Sequence, residues 1–461
     1  MMTILAFVTA LALLITVHEY GHYRVAVACG VKVLKFSIGF GKTIFSWKLK
    51  GSNTEFVIGL LPLGGFVKML DEREGSVPPE QKHLAFNTQP LRKRVAIVAA
   101  GPIANLVLAV LLYSVVNWLG VQEARAVLAS PSVGSVAQRA GLVGGEHVAQ
   151  AGFIDDDLLP IRSMEDVRWL VTRGALSGQN VRLVVSKTQN IETPQSREFV
   201  LDLASLDARE VDTQLFQKIG ITGPWTKPVL GDMQPDSPAK RAGLEVGDVV
   251  KKIDDIEVID GQQLRQLIRE SVAFKDGQTT ALTRSWVVLR KTDTLEIPIT
   301  VDLKSEGSRQ IGRIGAFVGT LPDMVIIRYG LLDGLQAGMV KTWDVSVLTL
   351  KMMGKMVIGQ ASVKNLSGPL TIADYAGKSA NLGLTPYLVF LALISVSLGV
   401  LNLLPLPVLD GGHLMYYLWE GATGRAVSEL WTERLQRGGV ALLFSMMFIA
   451  LYNDVTRLFS I

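Results

Sequence analysis

The sequence predicts an α-helical polytopic membrane protein with four transmembrane helices. A small β-sheet follows the first helix, and two small α/β domains lie between helices 2 and 3. Three observations carry this prediction. The 461 residues are 49% hydrophobic and only 19% charged. That charged share lies below the ~25% of ordinary soluble domains, and the mean hydropathy is +0.32. The apolar residues are also gathered into four long runs. Finally, one short motif occurs twice between the second and third runs, as Ser135-Val-Ala-Gln-Arg-Ala-Gly-Leu142 and Ser237-Pro-Ala-Lys-Arg-Ala-Gly-Leu244.

Helix 1 is assigned to residues 1–30. Met1 to Val17 carries no charge, and His22 and Arg24 are the strongly polar positions between Tyr20 and Gly30. The run lacks a basic leading segment, which argues against a cleaved signal peptide. Residues 94–119 form helix 2, 384–406 helix 3 and 434–455 helix 4, each near the ~20 apolar residues that span a bilayer. The apolar stretch 324–360 contains Asp333, Lys341, Asp344, Lys351 and Lys355. With charges that dense, it reads as an amphipathic or interfacial helix within a linker over 322–383.

Between helices 1 and 2, residues 24–94 hold twelve basic and five acidic residues. The excess of Lys and Arg places this loop on the cytoplasmic side. Both termini and the region 119–383 then lie outside. Within 31–93, Val31–Lys50 and Glu55–Lys68 read as strands, with turns at Gly39-Phe-Gly41, Lys50-Gly-Ser-Asn53 and Gly64-Gly65. Phe66-Val-Lys-Met-Leu70 reads either as an edge strand or as the start of an interfacial helix.

The duplicated motif continues as Gly145-Glu146 against Gly247-Asp248, which implies two copies of one domain, over 122–206 and 217–304. In the second copy Ile221, Val229 and Leu230 read as early strand positions, and 262–270 as a helix. A net charge of +4, from 46 basic and 42 acidic residues, gives no nucleic-acid footprint. The single cysteine, Cys29, excludes a disulfide framework and a Cys-rich zinc module.

The chemistry sits in His18-Glu-Tyr-Gly-His22. Residues i and i+4 share one helix face, so both imidazoles can bind one Zn²⁺, with Glu19 placed as general base. Ionisable residues inside an apolar span are costly, and they mark function by default. A third ligand does not follow nearby, since Val25 and Ala28 stand where an extended soluble motif would have Gly and His. His83 and His147 lie in stretches read as polar loops, and His413 lies beside the best candidate, Asp410. Asp410 and His18 both fall towards the cytoplasmic side by residue count, at ~1.5 Å per residue through a ~30 Å core. Pro405 and Pro407 free backbone carbonyls there, which requires a protein-lined or watery setting.

Taken together, these motifs resemble those of the bacterial site-2 proteases over essentially the whole chain. The carriers are His18-Glu-Tyr-Gly-His22, Asn402-Leu-Leu-Pro-Leu-Pro-Val-Leu-Asp-Gly-Gly412 with its 409–411 motif, and two domains resembling PDZ domains. The resemblance implies a zinc metalloendopeptidase with His18, His22 and Asp410 as zinc ligands and Glu19 as base. It implies that Asn402 positions the substrate or stabilises the oxyanion, while His413 and Glu420 have no role. It also implies a membrane-associated sheet within Val31–Lys68 that binds substrate. Substrates would be single-span proteins of the anti-sigma-factor type after a first cut on the outer side, and signal-peptide remnants. The setting would be a bacterial inner membrane, with both termini and the PDZ pair periplasmic. The PDZ pair would either capture peptide tails by strand addition or act as a steric gate. The rival reading is a non-catalytic PDZ adaptor with a vestigial zinc site, which would not need Glu19. A transporter with a broken third span is a second rival, and the lack of repeated membrane halves counts against it.

Overall fold

The computed structural model describes residues 2–48, 51, 54–186, 196–206, 213–275, 278–306, 309–360 and 368–459. The turn expected at Lys50-Gly-Ser-Asn53 lies largely outside these residues. The chain divides into two compact units, one of residues 1–121 with 328–461 and the other of 122–327.

The first unit holds seven α-helices among its described residues. They are α1 (Met2–Ala28), α2 (Leu91–Leu119), α3 (Leu331–Val357), α4 (Pro369–Leu382), α5 (Leu384–Asn402), α6 (Asp410–Thr423) and α7 (Glu429–Phe459). Four of them, α1, α2, α5 and most of α7, are long and apolar enough to cross a membrane. Small residues draw α1 and α2 together. A Cβ on Gly21 would overlap the Ala100 carbonyl and lie 2.8 Å from the Ala104 Cβ. Close backbone approach through small residues is how helices gain packing where lipid is as apolar as leucine. At the end of α1, Lys93 donates to the Cys29 carbonyl at 2.7 Å, setting a cation at the negative end of the helix dipole.

The apolar stretch 324–360 divides in two. Met324–Ile327 is a strand, and the helix begins only at Leu331. Helix α3 then lies against the second half of α2. Trp118 donates to the Leu331 carbonyl and Asn117 to the Gly334 carbonyl, both at 3.0 Å. Asp454 of α7 is fully buried and accepts from the backbone N–H groups of Gly368, Leu370 and Thr371. It supplies the cap that α4 cannot draw from its own Gly-Pro start.

Strands β1 (Val33–Lys48) and β2 (Glu55–Met69) each bend and pair more than once. Residues 35–38 lie between 55–58 on one side and 65–68 on the other, while 45–48 pair with the outer side of 55–58. Gly39 and Gly41 have φ of 91° and 85° but remain inside β1, where they kink the strand instead of ending it. Gly64 and Gly65 likewise lie within β2. Residues 65–69 are strand, not helix. Among the described residues nothing pairs with their outer side. Tyr23, Phe36 and Phe56 pack edge to face beneath this sheet and tie it to α1.

In the second unit the two copies share one topology. The first sheet orders its strands 159–160, 147–153, 181–186, 197–201, and the second 256–257, 249–253, 283–290, 293–300. Met164–Ser177 and Gly261–Arg269 are the equivalent helices. His147 therefore sits in a strand instead of a polar loop. Ser135 and Ser237 cap equivalent short helices. Glu146 and Asp248 accept the N–H groups that the following turn leaves free.

Ile221 belongs with the first copy, not the second. Trp225 donates to the Val127 carbonyl, Ala129 donates to that of Gly223, and Leu128 pairs with Pro224. The second copy closes in the same way, with Ala316–Val318 on Leu230–Met233. Each copy thus ends with a segment that pairs back onto its own beginning, an isolated bridge in the first and a strand in the second.

Candidate metal centre and active site

The site forms where α1, α2, β2 and the start of α6 meet. His18 and His22 stand one turn apart on the buried face of α1. Asp410 is the first residue of α6, reached after α5 stops at Asn402 and the Leu-Pro-Leu-Pro loop folds back. Gly411 and Gly412 permit that fold. A Cβ on Gly411 would overlap the Leu404 carbonyl, and one on Gly412 the Leu406 carbonyl. Short turns satisfy the loop's own backbone, with Leu406 donating to Leu404 at 2.7 Å and Leu409 to Leu406 at 2.9 Å.

The Nε2 atoms of His18 and His22 are 3.2 Å apart. They lie 3.2 Å and 3.5 Å from one Asp410 carboxylate oxygen. Ligands about 2.0–2.1 Å from a tetrahedral zinc stand about 3.3–3.4 Å from one another, so the triangle fits such an ion without rearrangement. The proton positions agree. His22 Nδ1 lies 2.8 Å from the Ile97 carbonyl, which can only accept, so Nδ1 carries the hydrogen. In the neutral ring Nε2 then presents a lone pair towards a carboxylate oxygen, an arrangement suited to a cation lying between them. No other group of three His, Cys, Asp or Glu among the described residues has this property.

Glu19 lies on the flank of the same helix, half-buried. A Cβ on Gly65 would come within 2.9 Å of its Cγ, so glycine at 65 lets the unpaired edge of β2 pass beside this carboxylate. Glu19, His22 and Asp410 line one cleft of about 250 Å³ together with Val67 and Met69 of that edge. Asp71 and Arg73 stand at its rim. Burial pushes the Asp71 carboxyl up, but hydrogen bonds from Arg73 outweigh it and hold the group below the usual carboxylate range.

Not every candidate comes together. Asn402 ends α5 half-buried, and no hydrogen bond among the described residues ties it to the cluster. His83 and His147 are elsewhere in the fold. His413 packs edge to face on Tyr416. Glu420 receives a bidentate pair from Arg94, at 2.5 Å and 3.1 Å, which clamps α6 onto α2.

Three participants on α2 escaped the sequence reading. They are the Ile97 carbonyl, Gly101, whose missing side chain leaves room for the His22 ring, and Asn105, next to His18. An Asn in the middle of an uncharged span was the available signal for the last. A backbone carbonyl leaves no such trace.

The profile of peptidase family M50 matches residues 6–446. The Ralstonia nicotianae protein RSc1411, which carries the name of a zinc metalloprotease, is 40% identical over 474 residues, covering 100% of this chain and 99% of its own. The regulator of sigma-E protease RseP of Escherichia coli is 38% identical over 464 residues, covering 98% of each chain. The regulator of sigma E protease of Haemophilus influenzae is 37% identical over 458 residues, again with 98% of each covered. Family match, full-length relatives and the His-His-Asp triangle agree that this chain is a site-2 protease of peptidase family M50, a multi-pass membrane zinc metalloprotease.

Proposed function

We propose that the chain cuts peptide bonds within the membrane-spanning segments of single-span proteins that a first protease has already shortened on the outer side. The observation that carries this is the position of Glu19. A carboxylate stands in one cleft with His22 and Asp410 of the His-His-Asp triangle, inside a helix of membrane length, beside a strand edge without a partner among the described residues.

In this reading His18, His22 and Asp410 hold a zinc ion, which when bound supplies Lewis-acid polarisation of a carbonyl and acidifies water. Glu19 takes the proton from the attacking water and passes it to the leaving amine. Its flank position leaves the carboxylate free of the metal triangle. The edge at 65–69 pairs with the substrate as an added strand, which extends a segment whose helical amides would otherwise be shielded. Asn402 sits at the end of α5, ready to contact the substrate carbonyl. Lipid bilayer surrounds the four long helices. The Lys and Arg excess of 24–94 supports a cytoplasmic position for the sheet and a periplasmic one for the 122–327 unit.

The two copies in that unit are read as PDZ domains that exclude substrates with an intact outer domain. The name of the E. coli relative, a regulator of sigma-E protease, supports an anti-sigma-factor type of substrate in an inner membrane.

The test uses purified protein in detergent and a single-span substrate with a trimmed outer domain. Wild type should give product, while Glu19→Gln and chelated wild type should not, with Glu19→Gln retaining its zinc. Product from zinc-loaded Glu19→Gln at the wild-type rate would remove Glu19 from the reaction. Absence of product from zinc-loaded wild type would favour the adaptor reading.

A further inference from the structure

We propose that Asn105 is a positioning residue that fixes the tautomer and ring orientation of His18, with its carboxamide oxygen accepting the His18 Nδ1 hydrogen. The inference rests on the metal-site reading above and adds a residue to it. Asn105 is fully buried on α2. Its Nδ2 is placed 3.3 Å from His18 Nδ1, while its Oδ1 is buried with no partner.

The chemistry favours the opposite orientation of the amide. His18 Nε2 points at the Asp410 oxygen, as His22 Nε2 does. To offer a lone pair there, a neutral imidazole must carry its hydrogen on Nδ1. Nδ1–H and an amide NH₂ are both donors and cannot pair. Turning the carboxamide by half a rotation exchanges its oxygen and nitrogen at no steric cost, and amide orientation is assigned from such networks. The oxygen then accepts from Nδ1.

The two histidines are then held alike. His22 gives its Nδ1 hydrogen to the Ile97 carbonyl, and His18 gives its own to Asn105, two turns further along the same helix. Sequential helices that cross a membrane in opposite directions produce this order: the earlier ligand on α1 meets the later residue on α2. The Asn105 backbone meets α5 through a contact that does not involve its carboxamide. Ser395 of α5 donates to its backbone carbonyl at 2.7 Å, and Ser395 is fully buried. Hydrogen-bond acceptors behind metal-bound histidines are worth about 10–100-fold in metal affinity.

The experiment measures zinc affinity of the full-length protein in detergent by chelator competition. Asn105→Leu keeps the volume without an acceptor, and it should weaken zinc binding by about 10–100-fold. Asn105→Asp keeps an acceptor and should stay within about threefold of wild type. Ser395→Ala disturbs the same helix contact but spares the carboxamide, and it should bind as wild type. His18→Ala should lose the site, which checks that zinc is read at this cluster. Wild-type affinity in Asn105→Leu would overturn the proposal. So would an equal loss in Asn105→Asp, or in Ser395→Ala, because packing would then explain the effect. Failure of the wild type to bind zinc at all would instead strike the metal-site reading, and this inference with it.

Discussion

Replacing Gly101 with alanine adds one methyl group in the middle of α2. On propensity alone the change favours the helix, by about 1 kcal/mol in an exposed helix interior. The structure predicts a loss of function all the same. A Cβ at 101 would lie 2.7 Å from Cε1 and 2.8 Å from Cδ2 of His22, and closer still to Nε2. Carbon atoms rest at about 3.5–4.0 Å, so the ring must retreat by about 0.7–1 Å. It cannot retreat freely, because its Nδ1 is bonded to the Ile97 carbonyl of the same helix at 2.8 Å. A misplacement of ~1 Å in a catalytic assembly costs about 100-fold. Gly101→Ala should therefore lower kcat/KM by about 100-fold and weaken zinc measurably, while the thermal midpoint of the zinc-free protein changes by less than about 3 °C. Cleavage of a trimmed substrate, zinc content and a melting curve would measure all three. Wild-type turnover with full zinc would refute the reasoning, since His22 would then have room that the packing denies it.

Two further predictions concern the 122–327 unit. Asp248 has a side chain only 1% exposed and pairs with Arg290 through two hydrogen bonds of 2.9 and 2.8 Å. Burial raises its pKa, but the Arg290 bonds and the Glu245 N–H outweigh this, so the carboxyl sits below its usual range when folded. A depressed folded pKa adds stability above the unfolded value of about 3.9, and that stability is lost as pH falls through the folded value. Asp248→Asn should therefore melt about 5 °C below wild type at pH 6 and converge with it in acid, as pH falls through the lowered folded value; a gap unchanged at low pH would exclude the ion pair as its cause. Removing the whole unit is a cleaner deletion than removing part of it, because a cut at 304, the end expected from the repeat, would strand the closing strand Ala316–Val318. Within the first unit, Arg328 donates to the Leu119 carbonyl and Tyr329 to that of Asn117, so the cut ends are already adjacent. Joining Val121 to Arg328 should let the enzyme cut substrates with intact outer domains, and unchanged selectivity in a cleavage assay would refute the gating role.

Features with a period or a fixed spacing were legible in the sequence. Uncharged runs marked the long helices, the four-residue step from His18 to His22 marked one helical face, and the repeated Ser-to-Leu motif marked two copies of one topology. Counting depth along two spans supported Asp410 as the candidate that the family resemblance also implied. What stayed hidden depends on partners far apart in the chain. Arg94 and Glu420 meet across 326 positions, and no local pattern announces the pair. Ile221 was drawn to the second copy because it precedes that copy directly, whereas the segment it leads into, Gly223–Trp225, pairs with Val127–Ala129 of the first. Gly39 and Gly41 signalled positive φ, but φ alone does not tell a kink within a strand from the end of one.

The motif on α1 sets only the spacing of two histidines. Everything that makes the spacing usable comes from other elements. Helix α2 turns one face to α1 over three turns, with the Ile97 carbonyl behind one ring, no side chain at Gly101 beneath it, and Asn105 beside the other. Its Pro102 carbonyl lies against Gly399 of α5, where a Cβ would stand 3.0 Å away, so the helix that orients the histidines is also packed on the helix that delivers Asp410. Asp410 reaches the triangle only because α5 ends early. In lipid an ended helix exposes carbonyls that water cannot satisfy. The Leu-Pro-Leu-Pro loop answers with tight turns of its own, and two glycines then bring its backbone against the first turn of α6. The proline and glycine pairs are thus two halves of one device, one breaking the span and the other closing the break. A substitution that keeps the carboxylate but fills either glycine should displace Asp410 from the histidines and lower zinc content, read by chelator competition, as far as replacing Asp410 itself.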